Sequence, residues 1–208
     1  MLDIQQLSFG FAHQPRLVQS LSTQVKPGEM GLIQGPSGCG KSTLLSLIAG
    51  TQHDTITYTG QIMLNELLLN DRPPHLRRVG LMFQEPLLFG HMSVADNVGF
   101  GLPAGLTKQV RRNRIQRALE TAEMSDMGAR DPATLSGGQK ARIALMRCLL
   151  AEPACLLLDE SFSSLDPALR QSFGQFVHHH IRASDIPALL VSHDLADEAL
   201  ANGPIITL

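Results

Sequence analysis

One octapeptide narrows the possible folds of this chain more than any other feature. Gly35-Pro36-Ser37-Gly38-Cys39-Gly40-Lys41-Ser42 fits G-x-x-x-x-G-K-[ST], with a strand-like run, Met30–Gln34, before it and a helical run, Lys41–Ala49, from its lysine onward. Glycines let successive backbone N–H groups wrap round an anion, and a helix N-terminus adds partial positive charge. Lys41 then has the reach to bridge the β- and γ-phosphates of a nucleotide such as ATP. Ser42 has a hydroxyl for Mg²⁺, and Thr43 follows it in the binding set. A strand–loop–helix of this kind calls for a mainly parallel sheet with crossover helices.

The rest of the chain agrees with that architecture. Strand patterns fall at residues 2–9, 18–25, 30–34, 61–64, 79–83, 154–159, 188–192 and 204–208, and helical patterns follow several of them. The expected fold is an α/β P-loop NTPase core, with an antiparallel section in the first third and an inserted helical subdomain. Residues 1–84 and 151–208 form the α/β core in this reading. Residues 85–150 form the helical piece, with 108–124 its clearest helix. A chain of 208 residues suits one domain. Charged residues are only 17%, which excludes a disordered chain, and a net charge of −2 gives no global pull toward nucleic acid. Three cysteines make no disulfide framework. No stretch approaches the roughly 18 unbroken apolar residues of a membrane span, and the N-terminus lacks the pattern of a signal peptide. The expectation is a soluble, cytoplasmic protein.

Two further motifs carry chemistry. Cys155-Leu156-Leu157-Leu158-Asp159-Glu160 is an apolar strand ending in two acids, which a parallel sheet puts at its carboxyl edge, where ligands bind. Asp159 suits the Mg²⁺ shell, and Glu160 suits a general base acting on water. Leu135-Ser136-Gly137-Gly138-Gln139 leads into a helix over 140–150, whose N-terminus again offers free N–H groups to an anion.

Together these motifs resemble those of the ATP-binding-cassette (ABC) ATPases, whose signature is that pentapeptide. The resemblance covers nearly the whole chain. It implies that Gln84 is the Q-loop glutamine, active in catalysis and on Mg²⁺, and that His193 in Val191-Ser192-His193-Asp194 is the switch histidine. Ser163-Ser164-Leu165-Asp166 matches the D-loop, with Asp166 facing nucleotide. Phe11 falls where the family usually presents a tyrosine that stacks on adenine, with Phe9 as the alternative. Ser161 stands where a proline commonly follows the catalytic glutamate, a change expected to loosen that turn.

The resemblance further implies an ATPase subunit that drives transport through a permease on another chain, at the cytoplasmic face of the inner membrane. It implies a homodimer closing on two ATP through Ser136, Gly137, Gly138 and Gln139, with no nucleic acid as partner. A soluble ABC ATPase of DNA repair or translation is the alternative. Repair members carry a long coiled-coil insertion and translation members usually two cassettes, and this chain shows neither. The run Met92–Val98 is similar to bacterial importers. With the sequence ending at Leu208, the expectation is a subunit without the C-terminal regulatory domain of some sugar and metal importers.

Other features weigh less. Lys108, Arg111, Arg112, Arg114 and Arg117 have no interleaved aromatics and read as a solvated helix face. His178-His179-His180 are consecutive and do not face one another on a helix, so no metal is assigned to them. Cys39 lies within the phosphate loop, where alkylation should block ATP entry. The apolar loop from Glu85 to Met92 either packs the helical piece or receives a permease helix.

Overall fold

The computed structural model describes residues 1–163 and 165–208; Ser164, part of the D-loop match, lies outside the described residues. Nine strands are described: β1 (Leu2–Phe11), β2 (Val18–Val25), β3 (Met30–Gln34), β4 (Ile56–Leu64), β5 (Leu67–Leu68), β6 (Val79–Met82), β7 (Cys155–Asp159), β8 (Ala188–Val191) and β9 (Ile205–Thr207). The α-helices are α1 (Lys41–Ala49), α2 (Val94–Phe100), α3 (Lys108–Thr121), α4 (Gly137–Leu150) and α5 (Pro167–Ala183). The strands make an antiparallel sheet ordered β2-β1-β4-β5 and a parallel sheet ordered β6-β7-β8-β3-β9.

The inner parallel strands β3, β7 and β8 are apolar up to their carboxyl ends because both faces are covered, whereas the edge strand β9 leaves Ile205 exposed. In β7, Leu156 and Leu158 join a core shared with α4 and α5, whereas Cys155 and Leu157 turn to a second core with α1 and β1. That is the two-residue period of a strand. Leu156, Leu157 and Leu158 are all at 0% exposure. At about 1.5–3 kcal/mol for each buried leucine, this strand is a fixed support for the two acids at its end. Between β6 and β7 the chain is helical, and α4 packs against α2, β6 and α5.

The largest departure from the expected strands is at β4, which begins at Ile56 rather than 61. Gly60 reads as a break in the sequence. In the fold it has φ +95°, beside a register shift between Gln5 and Ser8 of β1, so it marks a bulge within a longer strand. β1 likewise runs on to Phe11, and the pair Leu67–Leu68 adds a short edge strand. The helix expected over 108–124 ends at Thr121, and the one expected over 140–150 begins at Gly137 because Ser136 caps it.

Candidate functional site

β3 delivers the chain to the phosphate loop in the interior of the parallel sheet, and α1 leaves it at Lys41. Gly40, at φ +109°, precedes the helix, and a Cβ there would stand 3.0 Å from the Phe9 ring. Only glycine allows both the turn and that approach. No side chain caps α1, and its first turn holds no acid, so no side chain takes the place of an anion at that end. Lys41 is 7% exposed, and its ammonium donates to the carbonyl oxygens of Gly35 at 2.8 Å and Pro36 at 3.0 Å.

The acids stand beside this loop. Ser42 Oγ donates to Asp159 Oδ1 at 3.2 Å. Burial holds the Asp159 carboxyl above the usual carboxylate range and Glu160 adds to this, while the Ser42 hydrogen bond and Lys41 oppose it. Glu160 follows with φ +48°, a left-handed conformation that a non-glycine residue adopts at a cost, and its N–H is anchored on the Val191 carbonyl at 3.1 Å. That turn aims its carboxylate at the His193 ring, with Oε1 3.4 Å from Nδ1.

Gln84, Asp159-Glu160, His193 and Gly35 thus follow the carboxyl ends of β6, β7, β8 and β3, four consecutive neighbours in the sheet. Gln84 and His193 are exposed. The His193 turn is held from below. Ser192 Oγ donates to Asp197 Oδ2 at 2.6 Å and accepts from the Asp194 N–H at 3.0 Å, while Arg170 of α5 pairs with Asp194 and lies 3.7 Å from Asp197. The Arg170 hydrogen bond, helped by the Ala196 N–H, holds Asp194 below the usual carboxylate range. Sequence reasoning missed Arg170: its partner is 24 residues away, and no local pattern marks the pair.

Two expectations need correction. Ser161 does not loosen its turn: the side chain is 3% exposed and its hydroxyl donates to the Met82 carbonyl at 3.1 Å, tying the turn to β6. The N-terminus of α4 is only partly free. Ser136 Oγ accepts from the Gln139 N–H at 3.4 Å and Gln139 Oε1 from the Ser136 N–H at 2.9 Å, a capping box that spends donors left to an anion by the sequence reading.

Of the two phenylalanines, Phe9 is fully buried, whereas Phe11 is 42% exposed and shares a cavity of about 260 Å³ with Ser42, Thr43 and Ile56. Pro36, Ser37 and Gly38 line the exposed crest of the phosphate loop, with Cys39 half-buried beside them. Asp166 caps α5, accepting from the Leu169 N–H at 3.0 Å. Among the described residues no hydrogen bond joins Ser136, Gly137, Gly138 or Gln139 to the phosphate loop or the two acids. In the histidine tract, His178 bonds the Leu200 carbonyl, and the exposed His179 ring meets His180 edge-on at 5.2 Å between centroids.

The donor set suits a hard divalent ion. A hydroxyl and a carboxylate oxygen 3.2 Å apart at the mouth of the loop match the few protein oxygens that Mg²⁺ takes while it keeps waters and phosphate oxygens.

The sequence profile of the ABC transporter family matches residues 18–163. An uncharacterized ABC transporter ATP-binding protein of Escherichia coli (strain K12), YnjD, is 46% identical over 182 residues, 88% of this chain and 84% of the relative. The thiamine import ATP-binding protein ThiQ of Yersinia pseudotuberculosis is 41% identical over 200 residues, 96% of this chain and 82% of the relative. Among solved structures, cbiO1 of Clostridium perfringens, part of the ABC transporter complex cbiONQ, superposes with a TM-score of 0.88 at 26% identity, covering 99% of this chain and 83% of that one. The dimeric post-hydrolysis state of the ATP-binding cassette MJ0796, bound to ADP and Pi, gives 0.80 at 25% identity, covering 100% and 94%.

Proposed function

The chain belongs to the ABC transporter family, and from that premise we propose that ATP seats on the Gly35–Ser42 loop and is cleaved between Glu160 and His193. The protein is an ATP-binding, ATP-hydrolysing subunit that powers transport through a membrane permease on another chain. Relatives named as import ATP-binding proteins count against the repair and translation alternative. Among the described residues no helix is long and apolar enough to cross a membrane. The permease holds the subunit at the cytoplasmic face of the inner membrane, and no nucleic acid takes part.

The contact between Glu160 and His193, beside the Ser42–Asp159 pair, carries the mechanism. Lys41 exchanges the Gly35 and Pro36 carbonyls for the β- and γ-phosphates, and the remaining loop N–H groups, with Thr43, close round them. Ser42, Asp159 and Gln84 would hold Mg²⁺, which when bound would neutralise phosphate charge. Phe11 stacks on adenine above the cavity it shares with Ser42 and Thr43. Glu160 takes a proton from the water that attacks the γ-phosphorus, as the bridging oxygen leaves with ADP. His193 orients that carboxylate and meets the γ-phosphate.

Residues 1–84 and 151–208 bind and cleave the nucleotide, while 85–150 carry Ser136, Gly137, Gly138 and Gln139 to the ATP of a second copy. Asp166 and its D-loop lie in the same interface. A Cβ on Gly137 meets nothing within 4 Å, so this chain's own packing leaves that position open to a partner. Two ATP are then buried across an isologous interface, and cleavage opens it. Glu160→Gln protein should elute as a dimer with ATP and a monomer with ADP. Adding Gly137→Arg, which fills space this chain does not use, should abolish the ATP dimer while leaving the melting temperature unchanged. A double variant that still dimerises would remove the signature from the partner's nucleotide.

A further inference from the structure

Gln84 is exposed, and among the described residues its side chain makes no hydrogen bond, so its place is set by the backbone on either side. Both sides are gripped by side chains from elsewhere. Two residues before it, the Met82 carbonyl accepts from Ser161 Oγ at 3.1 Å. Two residues after it, the Pro86 carbonyl accepts from Arg147 Nη2 at 3.1 Å, and the Leu87 carbonyl accepts from Arg147 Nη1 at 3.1 Å. The Arg147 guanidinium also lies over the Phe89 ring at 5.1 Å, which fixes the plane of its fork. Asn97, fully buried, bonds both the N–H and the carbonyl of Phe89, at 2.8 and 3.1 Å, and so closes the far end of the loop. Leu87 sits at φ +43°, a conformation that a free loop would relax out of.

The two grips come from informative places. Ser161 follows Glu160 directly. Arg147 lies in the last turn of α4, whose N-terminus carries Ser136 and Gln139. We propose that Ser161 and Arg147 are positioning residues for Gln84, holding it in register with the catalytic turn and with the signature helix. This rests on the reading that Gln84 acts on Mg²⁺-bound ATP. A proline in place of Ser161 has no hydroxyl to offer, so in this chain the serine makes a link between the acid turn and β6 that the commoner residue does not.

The test is a kinetic cycle on the intact chain with Mg²⁺ and ATP, using Gln84→Ala, Ser161→Ala, Arg147→Met and the doubles with Gln84→Ala. Gln84→Ala alone tests the underlying reading: wild-type kcat and Mg²⁺ half-saturation in that variant would overturn the role of Gln84 itself. Given an effect there, Ser161→Ala and Arg147→Met should each lower kcat by about tenfold, within the hundredfold that an ångström of misplacement can cost. Each should also raise the Mg²⁺ concentration for half-maximal rate, with ATP affinity held to within about twofold. Added to Gln84→Ala, neither should change kcat further, because they act through that residue. Arg147→Lys keeps the charge over Phe89 but loses the fork, and should recover part of the rate. It also serves as the probe if Arg147→Met does not fold. Additive losses in the doubles, or a fall in kcat that tracks melting temperature with Mg²⁺ dependence unmoved, would overturn the proposal.

Discussion

The hydroxyl of Ser42 and the carboxylate of Asp159 stand 3.2 Å apart although 117 residues separate them in the chain. β3 leads to the first and β7 carries the second, with β8 between those strands in the sheet. The sheet thus makes one oxygen pair from two distant motifs. Asp159→Asn should raise the Mg²⁺ requirement for ATP turnover by at least about tenfold, the lower end of what even indirect partners of a metal ligand cost. Titrating Mg²⁺ at saturating ATP reads this directly, and an unchanged half-saturation would take Asp159 out of the ion's shell.

Glu160 and His193 meet at 3.4 Å and should separate cleanly in kinetics. Glu160→Gln should slow hydrolysis by about 10²–10⁴, the usual contribution of a positioned base, with ATP affinity kept. His193→Ala should lower turnover yet leave ADP affinity intact if its ring, as proposed, meets the nucleotide only at the γ-phosphate. Calorimetry with ADP and steady-state rates with ATP decide it. ADP affinity falling in step with turnover would make His193 structural.

The ion pair of Arg170 with Asp194 sets a pH dependence of stability. Asp194 is held below the usual carboxylate range by Arg170. A depressed native value means that the unfolded chain takes up the proton first, so the contribution is present above the ordinary carboxylate value. It is lost as pH falls through the native one. Wild-type melting temperature should therefore fall more steeply than that of Asp194→Asn from about pH 5 downward. Parallel acid limbs would show that the pair adds nothing to stability.

The phosphate loop was legible because its chemistry is local. Eight consecutive residues supply the glycines, the lysine and the hydroxyl, and the strand and helix beside them need no distant partner to be recognised. β7 was legible once the phosphate loop called for a parallel sheet: an apolar run ending in two acids then reads as a strand with the acids at its carboxyl edge. The order of motifs was enough for the family, and with it the α/β architecture.

Long-range packing decided the rest. Phe9 and Phe11 are two residues apart, so strand alternation puts both on one face. Packing against α1 and the core behind it, with Gly40 close to its ring, buries Phe9 and leaves Phe11 at the open end of β1. The family resemblance, with its usual proline, led to the expectation that Ser161 loosens its turn, whereas its hydroxyl is bonded to Met82, 79 residues away. Arg147 and Arg170 carry no local mark in the sequence, yet each reaches backbone or acid groups on another element. Sequence by itself singled out the groups that the proposed chemistry would use, because that choice rests on residue type and short spacing. Tertiary structure decided which side chains hold those groups in place, because a hydrogen bond between distant residues exists only once the sheet and helices that carry them are packed.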